Sequence, residues 1–296
     1  MEARDLHALT LGIVDGVLAA GVYALMAIGL SLVFGVMGIV NIGQSSFVVL
    51  GGYVSYILLR YLGIDPFLGM IVTLPVFFVF GILVERLFLR RLERDRALLS
   101  LLATFAIAVV IEGVLGLVFT GSYIKINASY VVETYRVGSI YIPVIYVYAF
   151  ALSVALLFGL YLLLYHTTFG RSTRATMQDR FGAQVVGIRI GRVSAVTFGL
   201  GTALAAAGGT VYVATDAVNP ASWYDLIPVL FAVVILGGLG SLRGVLIASM
   251  VVLVSTDVVA VVWSPIWSGL VAYAIILAVL AIRPQGLFGQ SEARVA

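Results

Sequence analysis

Residues able to do enzyme chemistry are few in this sequence of 296 residues. It has no cysteine, which excludes a thiol nucleophile, a disulfide and a thiolate metal site. Its only histidines, His7 and His166, are predicted to lie at opposite ends of a membrane, so they form no shared site. The single lysine, Lys125, ends no glycine-rich phosphate loop. We therefore expect no catalytic site, no metal and no bound cofactor, and ATP hydrolysis by this chain is not expected.

Two acidic residues lie within long apolar runs and are the strongest candidates for chemistry. Glu112 stands in AVVIEGVLG and Asp257 in LVSTDVVA. Ionisable side chains are costly in a membrane, which makes them functional candidates. Each could line a water-filled passage, hydrogen-bond to a neighbouring helix or be protonated, and a hydrogen bond is favoured over a proton relay. No basic residue lies deep in any run, which weakens an ion-coupled transport interpretation.

The apolar runs that carry these residues predict an all-α membrane protein. Hydrophobic residues make up 62% of the chain and charged residues only 10%, against about 25% charged in soluble domains. Runs near 20 residues match the thickness of a bilayer. We expect one transmembrane domain over 1–296, a polytopic bundle of about nine helices (eight are possible). The predicted spans are 10–35, 44–62, 66–88, 98–120, 141–165, 193–216, 226–240, 244–263 and 266–282. The seventh is short enough to be broken or re-entrant.

Arginines indicate the orientation of the chain. They cluster in a charged loop from Glu85 to Arg96, which includes Arg94, and in a second loop from Arg171 to Arg192. The positive-inside rule places both loops in the cytoplasm. With nine spans, the N-terminus is then outside, and the C-terminus, with Arg283 and Arg294, is cytoplasmic.

Two glycine-rich breaks interrupt the apolar pattern. The first contains Asn41, Gly43, Gln44 and Ser45, between the first two spans, and the second contains Gly237, Gly238 and Gly240, between the seventh and eighth. Breaks in corresponding places of two halves mark the central pathway of inverted-repeat transporters. Two tight turns at helix ends would need the same glycines. The sequence leaves both interpretations open.

The cytoplasmic loop at 167–192 is rich in polar residues. Its middle, 172–186, predicts a short amphipathic helix that Gly187 would end, followed by a second short piece before the sixth span. Such an exposed helix could dock into a groove on a partner. The alternative is a solvated loop whose arginines only fix the topology.

Together these features resemble the permease subunits of branched-chain amino-acid ABC importers. DGVLAAGVYALMAIGLSLVFGVMGIVN is similar to that family's opening helix. NIGQSSFVVLGGY follows its next motif, with Gln44 at a His/Gln position and Ser45 where glycine is usual. AVVILGGLGSLRGVLIASMVV resembles its glycine-rich block, although Arg243 stands where proline is common. In the loop, Gln178-Asp179-Arg180 and Gly187-Ile188 match the family's coupling segment. Phe181 and Gly182 depart from its Glu-Ala-Ala element, of which only Ala183 remains.

The resemblance implies an importer in a bacterial or archaeal inner membrane. This chain would pair with a second, homologous permease, two ATP-binding subunits that carry ATP and Mg²⁺, and an extracytoplasmic solute-binding protein, with no nucleic-acid partner. Branched-chain or other hydrophobic amino acids are the expected solutes, and urea, short amides and other amino acids stay open. An ion-coupled secondary transporter is the runner-up. The segment expected to contact the ATPase contains Arg174, Gln178, Asp179, Arg180, Ala183, Gly187 and Ile188. The expected pathway residues are those of the two glycine-rich breaks.

Overall fold

A computed structural model describes residues 3–92, 96–126, 134–137 and 140–289, and it confirms the prediction of a helical membrane protein with many spans. In these ranges the helices are α1 (Ala3–Met37), α2 (Gln44–Leu62), α3 (Pro66–Leu87), α4 (Arg96–Phe119), α5 (Val144–His166), α6 (Thr168–Gln178), α7 (Arg180–Val185), α8 (Ile190–Thr215), α9 (Trp223–Gly237), α10 (Leu242–Val262) and α11 (Pro265–Ile282). A 3-10 turn, Leu89–Arg91, follows α3, and strands β1 (Thr134–Val137) and β2 (Ile140–Pro143) form an antiparallel pair.

Nine apolar helices in the described ranges correspond to the nine predicted spans. Eight of them are long enough to cross a membrane, whereas α9 has 15 residues. At 1.5 Å per residue α9 extends about 22 Å, which is short of the roughly 30 Å hydrocarbon layer. Because α9 runs from Trp223 to Gly237, the predicted seventh span, 226–240, begins and ends about three residues too late. The predicted fifth span also begins early, because residues 140–143 form β2.

The loop at 167–192 differs from its prediction. The single helix expected at 172–186 is divided into α6 and α7, because Asp179 adopts an extended conformation (φ −149°, ψ 110°) between them. The second short piece is absent, since α8 begins directly at Ile190.

Two antiparallel helix pairs make the most extensive contacts in the bundle: α1 with α10, and α3 with α8. Glycines allow both pairs to approach closely. A Cβ on Gly16 would lie 2.6 Å from the Cα of Val254, and one on Gly199 would lie 2.7 Å from the Phe78 carbonyl oxygen. In each pair, the first helix of one half (α1–α4 or α8–α11) packs against the third helix of the other. This reciprocal packing is what an inverted repeat produces, which is one of the two interpretations that the glycine-rich breaks left open.

The helices α1 and α8 form the centre of the bundle and are its most buried spans. They cross at two glycines, and a Cβ on Gly29 would lie 2.7 Å from the Gly201 carbonyl oxygen. Peripheral helices instead expose apolar side chains such as Ile266 and Leu277 of α11. Small residues inside and large apolar residues outside are typical of membrane bundles, where packing rather than water exclusion holds helices together.

Hydrogen bonds gather several helix termini at one end of the bundle. Arg90 donates to the Gly191 carbonyl and joins the segment after α3 to the start of α8. Leu287 N–H donates to the Leu236 carbonyl and joins the segment after α11 to the end of α9. Both arginine-rich loops lie at this end, which is the predicted cytoplasmic end. Arg94 and Arg294 lie outside the described residues.

Replacement of Gly209 by alanine tests the packing of α2 against α8. A Cβ there would lie 1.8 Å from the Val48 carbonyl oxygen, so α2 must shift. We expect Gly209→Ala to lower stability by about 1–3 kcal/mol, the usual cost of overpacking. The thermal unfolding of purified protein in detergent measures this. Gly269→Ala is the control, since no atom lies within 4 Å of its Cβ position. A Gly209→Ala variant as stable as this control would contradict the packing.

Candidate functional site

The first glycine-rich break carries the chain back into the bundle. After α1 ends at Met37, residues 38–43 are irregular, and α2 begins at Gln44. The Gln44 side chain reaches the carbonyls of Met26 and Gly201. Each of these residues is about three turns from the end of its helix that lies at the arginine-rich end of the bundle. Helix α2 therefore begins near mid-depth.

The Gln44 carboxamide links three helices at this depth. Its Nε2 donates to the Met26 carbonyl at 3.2 Å and to the Gly201 carbonyl at 3.1 Å. Its Oε1 accepts from Asn41 Nδ2 at 3.3 Å. Gln44 is only 1% exposed and Asn41 is fully buried. Because its two N–H groups and its oxygen all have partners, these contacts determine the orientation of the amide.

A second irregular segment, 216–222, carries the chain into the bundle from the opposite end. Val218 pairs with Ile124 there, and the chain then turns inward to start α9 at Trp223. The indole Nε1 of Trp223 donates to Glu112 Oε2 at 2.9 Å. Since Glu112 lies about two turns from the end of α4, α9 also begins inside the bundle. Asn219 Oδ1 accepts from the Ser222 hydroxyl three residues ahead, as Asn41 contacts Gln44.

The break at 216–222 is therefore the structural counterpart of the break at 38–43. The predicted counterpart, with Gly237, Gly238 and Gly240, is instead a tight turn between α9 and α10. Gly238 and Gly240 have φ of +92° and +81°, which favours glycine. This turn lies at the end of the bundle, where Gly240 packs against Gly35. Of the two interpretations left open for this segment, the tight turn is confirmed.

The two intramembrane acids lie in different surroundings. Glu112 makes the expected interhelical hydrogen bond, to Trp223, and Tyr224 lines the same cleft as Glu112. Asp257 of α10 is half-buried and close enough to Asp15 and Asp216 for their charges to interact. Desolvation raises the pKa of Asp216, just beyond α8, whereas the Thr215 hydroxyl and Lys125 act in the opposite direction.

The loop at 167–192, which is the predicted docking loop, is bound to α5 and α1. Arg174 donates to the Leu164 carbonyl and lies over the Tyr165 ring, 4.7 Å from its centroid. Arg180 Nη1 donates to the carbonyl of Met37, the last residue of α1, at 3.4 Å. Both arginines thus hold this loop against the bundle, in addition to any effect on topology.

Well-defined caps begin and end α7. Asp179 Oδ1 accepts from the Phe181 N–H at 2.9 Å. Gly187 has φ +86°, and its own N–H and that of Ile188 bond back to Gln184 and Ala183, both at 2.9 Å. This is a Schellman motif, so the predicted role of Gly187 as a helix terminator is confirmed. Of the other predicted docking residues, Gln178 is exposed, Ala183 is buried and Ile188 is half-buried.

An apolar surface on α7 escaped the sequence analysis. Phe181, Val185 and Val186 are 76%, 72% and 75% exposed. In the sequence, Phe181 is marked only as a departure from the family pattern. The i, i+4 spacing of Phe181 and Val185 was the available signal, because such residues share a helix face. Trp223 was also missed, since its position suggested an outer loop.

Replacement of Gln44 by alanine tests the link between α1, α2 and α8. The change removes two donors and leaves the Asn41 amide without its partner, at a cost of about 1–3 kcal/mol. We expect a lower unfolding temperature in detergent. Gln184→Ala, at an exposed glutamine of α7, is the matched control. Equal unfolding temperatures for the two variants would contradict the assignment of the Gln44 contacts.

Comparison with known proteins assigns the family. Residues 12–280 match the family described as branched-chain amino acid transport system / permease component. The high-affinity branched-chain amino acid transport system permease protein BraD of Pseudomonas aeruginosa is 25% identical over 293 residues, covering 95% of each chain. The probable branched-chain amino acid transport permease protein LivH of Methanocaldococcus jannaschii is 30% identical, covering 92% of this chain and 90% of its own length. No solved structure matches the chain. The chain belongs to the family of branched-chain amino acid transport system permease components.

Proposed function

We propose that this chain is the transmembrane permease subunit of an ABC importer and forms half of a solute pathway. A second homologous permease would supply the other half, and an extracytoplasmic binding protein would deliver the solute. Branched-chain or other hydrophobic amino acids are the proposed solutes, in keeping with the names of the relatives. The arginine-rich end would face the cytoplasm of a bacterial or archaeal cell, with the N-terminus outside.

The exposed apolar surface of α7 is the observation that carries this proposal. Phe181, Val185 and Val186 are largely exposed on an arginine-rich loop at the end of the bundle, which would lie outside the hydrocarbon layer. Three adjacent, largely exposed apolar side chains on a capped helix are typical of an interaction site. An apolar groove on an ATP-binding subunit would cover them. ATP and Mg²⁺ would bind to that subunit and not to this chain.

The contacts of the docking loop offer a route from the ATPase to the pathway. Arg180 donates to the carbonyl of Met37, the last residue of α1, and the Met177 side chain covers Gly35 two residues earlier. Gly35 in turn packs against Gly240 of the α9–α10 turn. A movement of α7 would therefore act on α1 and on the end of α9 together. Helix α1 ends at the break at 38–43, and α9 begins after the break at 216–222.

Replacement of Phe181 by aspartate tests docking. A charge in an apolar groove should remove an anchor contact of about 2 kcal/mol, which is roughly a thirtyfold loss of affinity for the ATP-binding subunit. Co-purification and uptake in cells lacking other importers of the solute measure this loss. Tyr61→Asp is the matched control, an aromatic residue 72% exposed at the opposite end. Normal co-purification of the Phe181→Asp variant would contradict docking through α7.

Two further variants test coupling after docking. Arg180→Glu replaces the donor to the Met37 carbonyl with an acceptor. Gly187→Pro cannot adopt φ +86°, because proline is restricted to about −65°. We expect both to retain membrane insertion and ATP hydrolysis by the complex but to lose solute uptake. Normal uptake by both would refute the coupling role.

The energy source separates the leading function from its runner-up. Liposomes containing both permeases and both ATP-binding subunits should take up solute from the loaded binding protein only with ATP and Mg²⁺. Uptake by this chain alone, driven by an ion gradient and unchanged by the ATPase, would identify a secondary transporter instead.

A further inference from the structure

A cleft of about 510 Å³ opens beside α4 where α9 begins. Glu112, Gly113 and Gly116 of α4 line one side, and Asn219 and Tyr224 line the other. The Glu112 carboxylate accepts a hydrogen bond from Trp223 and is half-buried at the cleft wall. One donor leaves acceptor capacity on a carboxylate, which offers about four lone-pair sites. No basic residue in the described ranges forms an ion pair with it.

The glycines of this cleft are not used for packing within the chain. No atom lies within 4 Å of a Cβ position on Gly113 or Gly116, in contrast to Gly16, Gly199 and Gly209. Glycine in a helix interior is otherwise destabilising relative to alanine. Open glycines also occur in α5 and α11, so glycine alone does not mark a site. In this cleft, Gly113 and Gly116 lie about a turn or less from the Glu112 carboxylate and leave space next to it.

Lipid is an unfavourable occupant of this cleft. Acidic side chains within spans face the bundle interior or a water-filled cavity, because hydrocarbon cannot solvate them. The face of α4 that carries Glu112 must therefore contact water or another polypeptide. Cleft, carboxylate and hydroxyl together resemble the small polar sets that orient a ligand in an otherwise apolar pocket.

We propose that the Glu112 cleft faces the pathway between the two permeases and receives the ammonium group of the solute in transit. This rests on the proposed importer function and adds a chemical contact to it. The Glu112 carboxylate would attract the cationic end of an amino acid, while the apolar wall formed by α4 would accept its side chain. A single carboxylate keeps the contact weak, as a conduction path requires.

Cysteine accessibility in the assembled transporter tests this proposal, because the natural chain contains no cysteine. Gly113→Cys has room in the cleft, and Val114→Cys, at nearly the same depth and 55% exposed, lies about 100° further around α4 and does not line the cleft. In liposomes holding the whole complex, a cationic methanethiosulfonate should modify Cys at position 113 about tenfold faster than an anionic one, since a fixed charge concentrates counter-ions. The same reagents should react little at position 114.

Two further measurements identify the charged group in the cleft and the part of the solute that binds to it. Glu112→Gln keeps an acceptor for Trp223 and should abolish the preference for the cationic reagent at position 113. Leucine should slow the modification, whereas 4-methylpentanoate, which lacks the ammonium group, should not. Equal reaction at 113 and 114, no charge preference, or cross-linking of position 113 to the second permease without reagent access would overturn the proposal. ATP-driven uptake that stays normal in those cases would leave the importer function standing.

Discussion

The carboxamide of Gln44 binds two carbonyls on different helices, and the rest of the bundle depends on this contact. One amide can reach both Met26 and Gly201 only because Gly29 and Gly201 let α1 and α8 cross closely. In an apolar medium an amide without partners is costly, so this position admits few arrangements of the three helices. The pairs α1–α10 and α3–α8 then extend outward from this centre. Membrane helices gain little from water exclusion, which gives such a polar contact unusual weight.

The breaks at 38–43 and 216–222 follow from the same constraint. Irregular backbone is tolerated at membrane depth only where protein or water satisfies its polar groups. The backbone carbonyls of Asn41 and Asn219 accept from the N–H groups of Gln44 and Ser222, three positions ahead, and so supply local partners before α2 and α9 begin. The two helices start inside the bundle from opposite ends. The inverted repeat therefore places two irregular segments, rather than two glycine turns, against its centre.

Much of the fold was predictable from the sequence, because apolar runs of bilayer length specify spans without reference to partners. The end of α7 was also predictable, since Gly187 supplies the positive φ of a Schellman motif. The break before α9 was not, because Asn219 and Pro220 are equally common in outer loops. The helix predicted over 172–186 places Asp179 in its interior, whereas Asp179 is an N-cap that divides α6 from α7. Such choices depend on tertiary contacts, among them the bond from Arg180 to the end of α1.

The tight turn at 237–240 is more than a connection between α9 and α10. Its Gly240 meets Gly35 of α1, and Met177 from the docking loop covers the same glycine. Helices from both halves of the inverted repeat thus meet next to the docking loop. They approach closely there because the residues in contact are glycines. A displacement of α7 would reach both halves at once because their contact is this close. The glycines there allow the two halves to respond together, while the Gln44 contact keeps their crossing fixed at mid-depth.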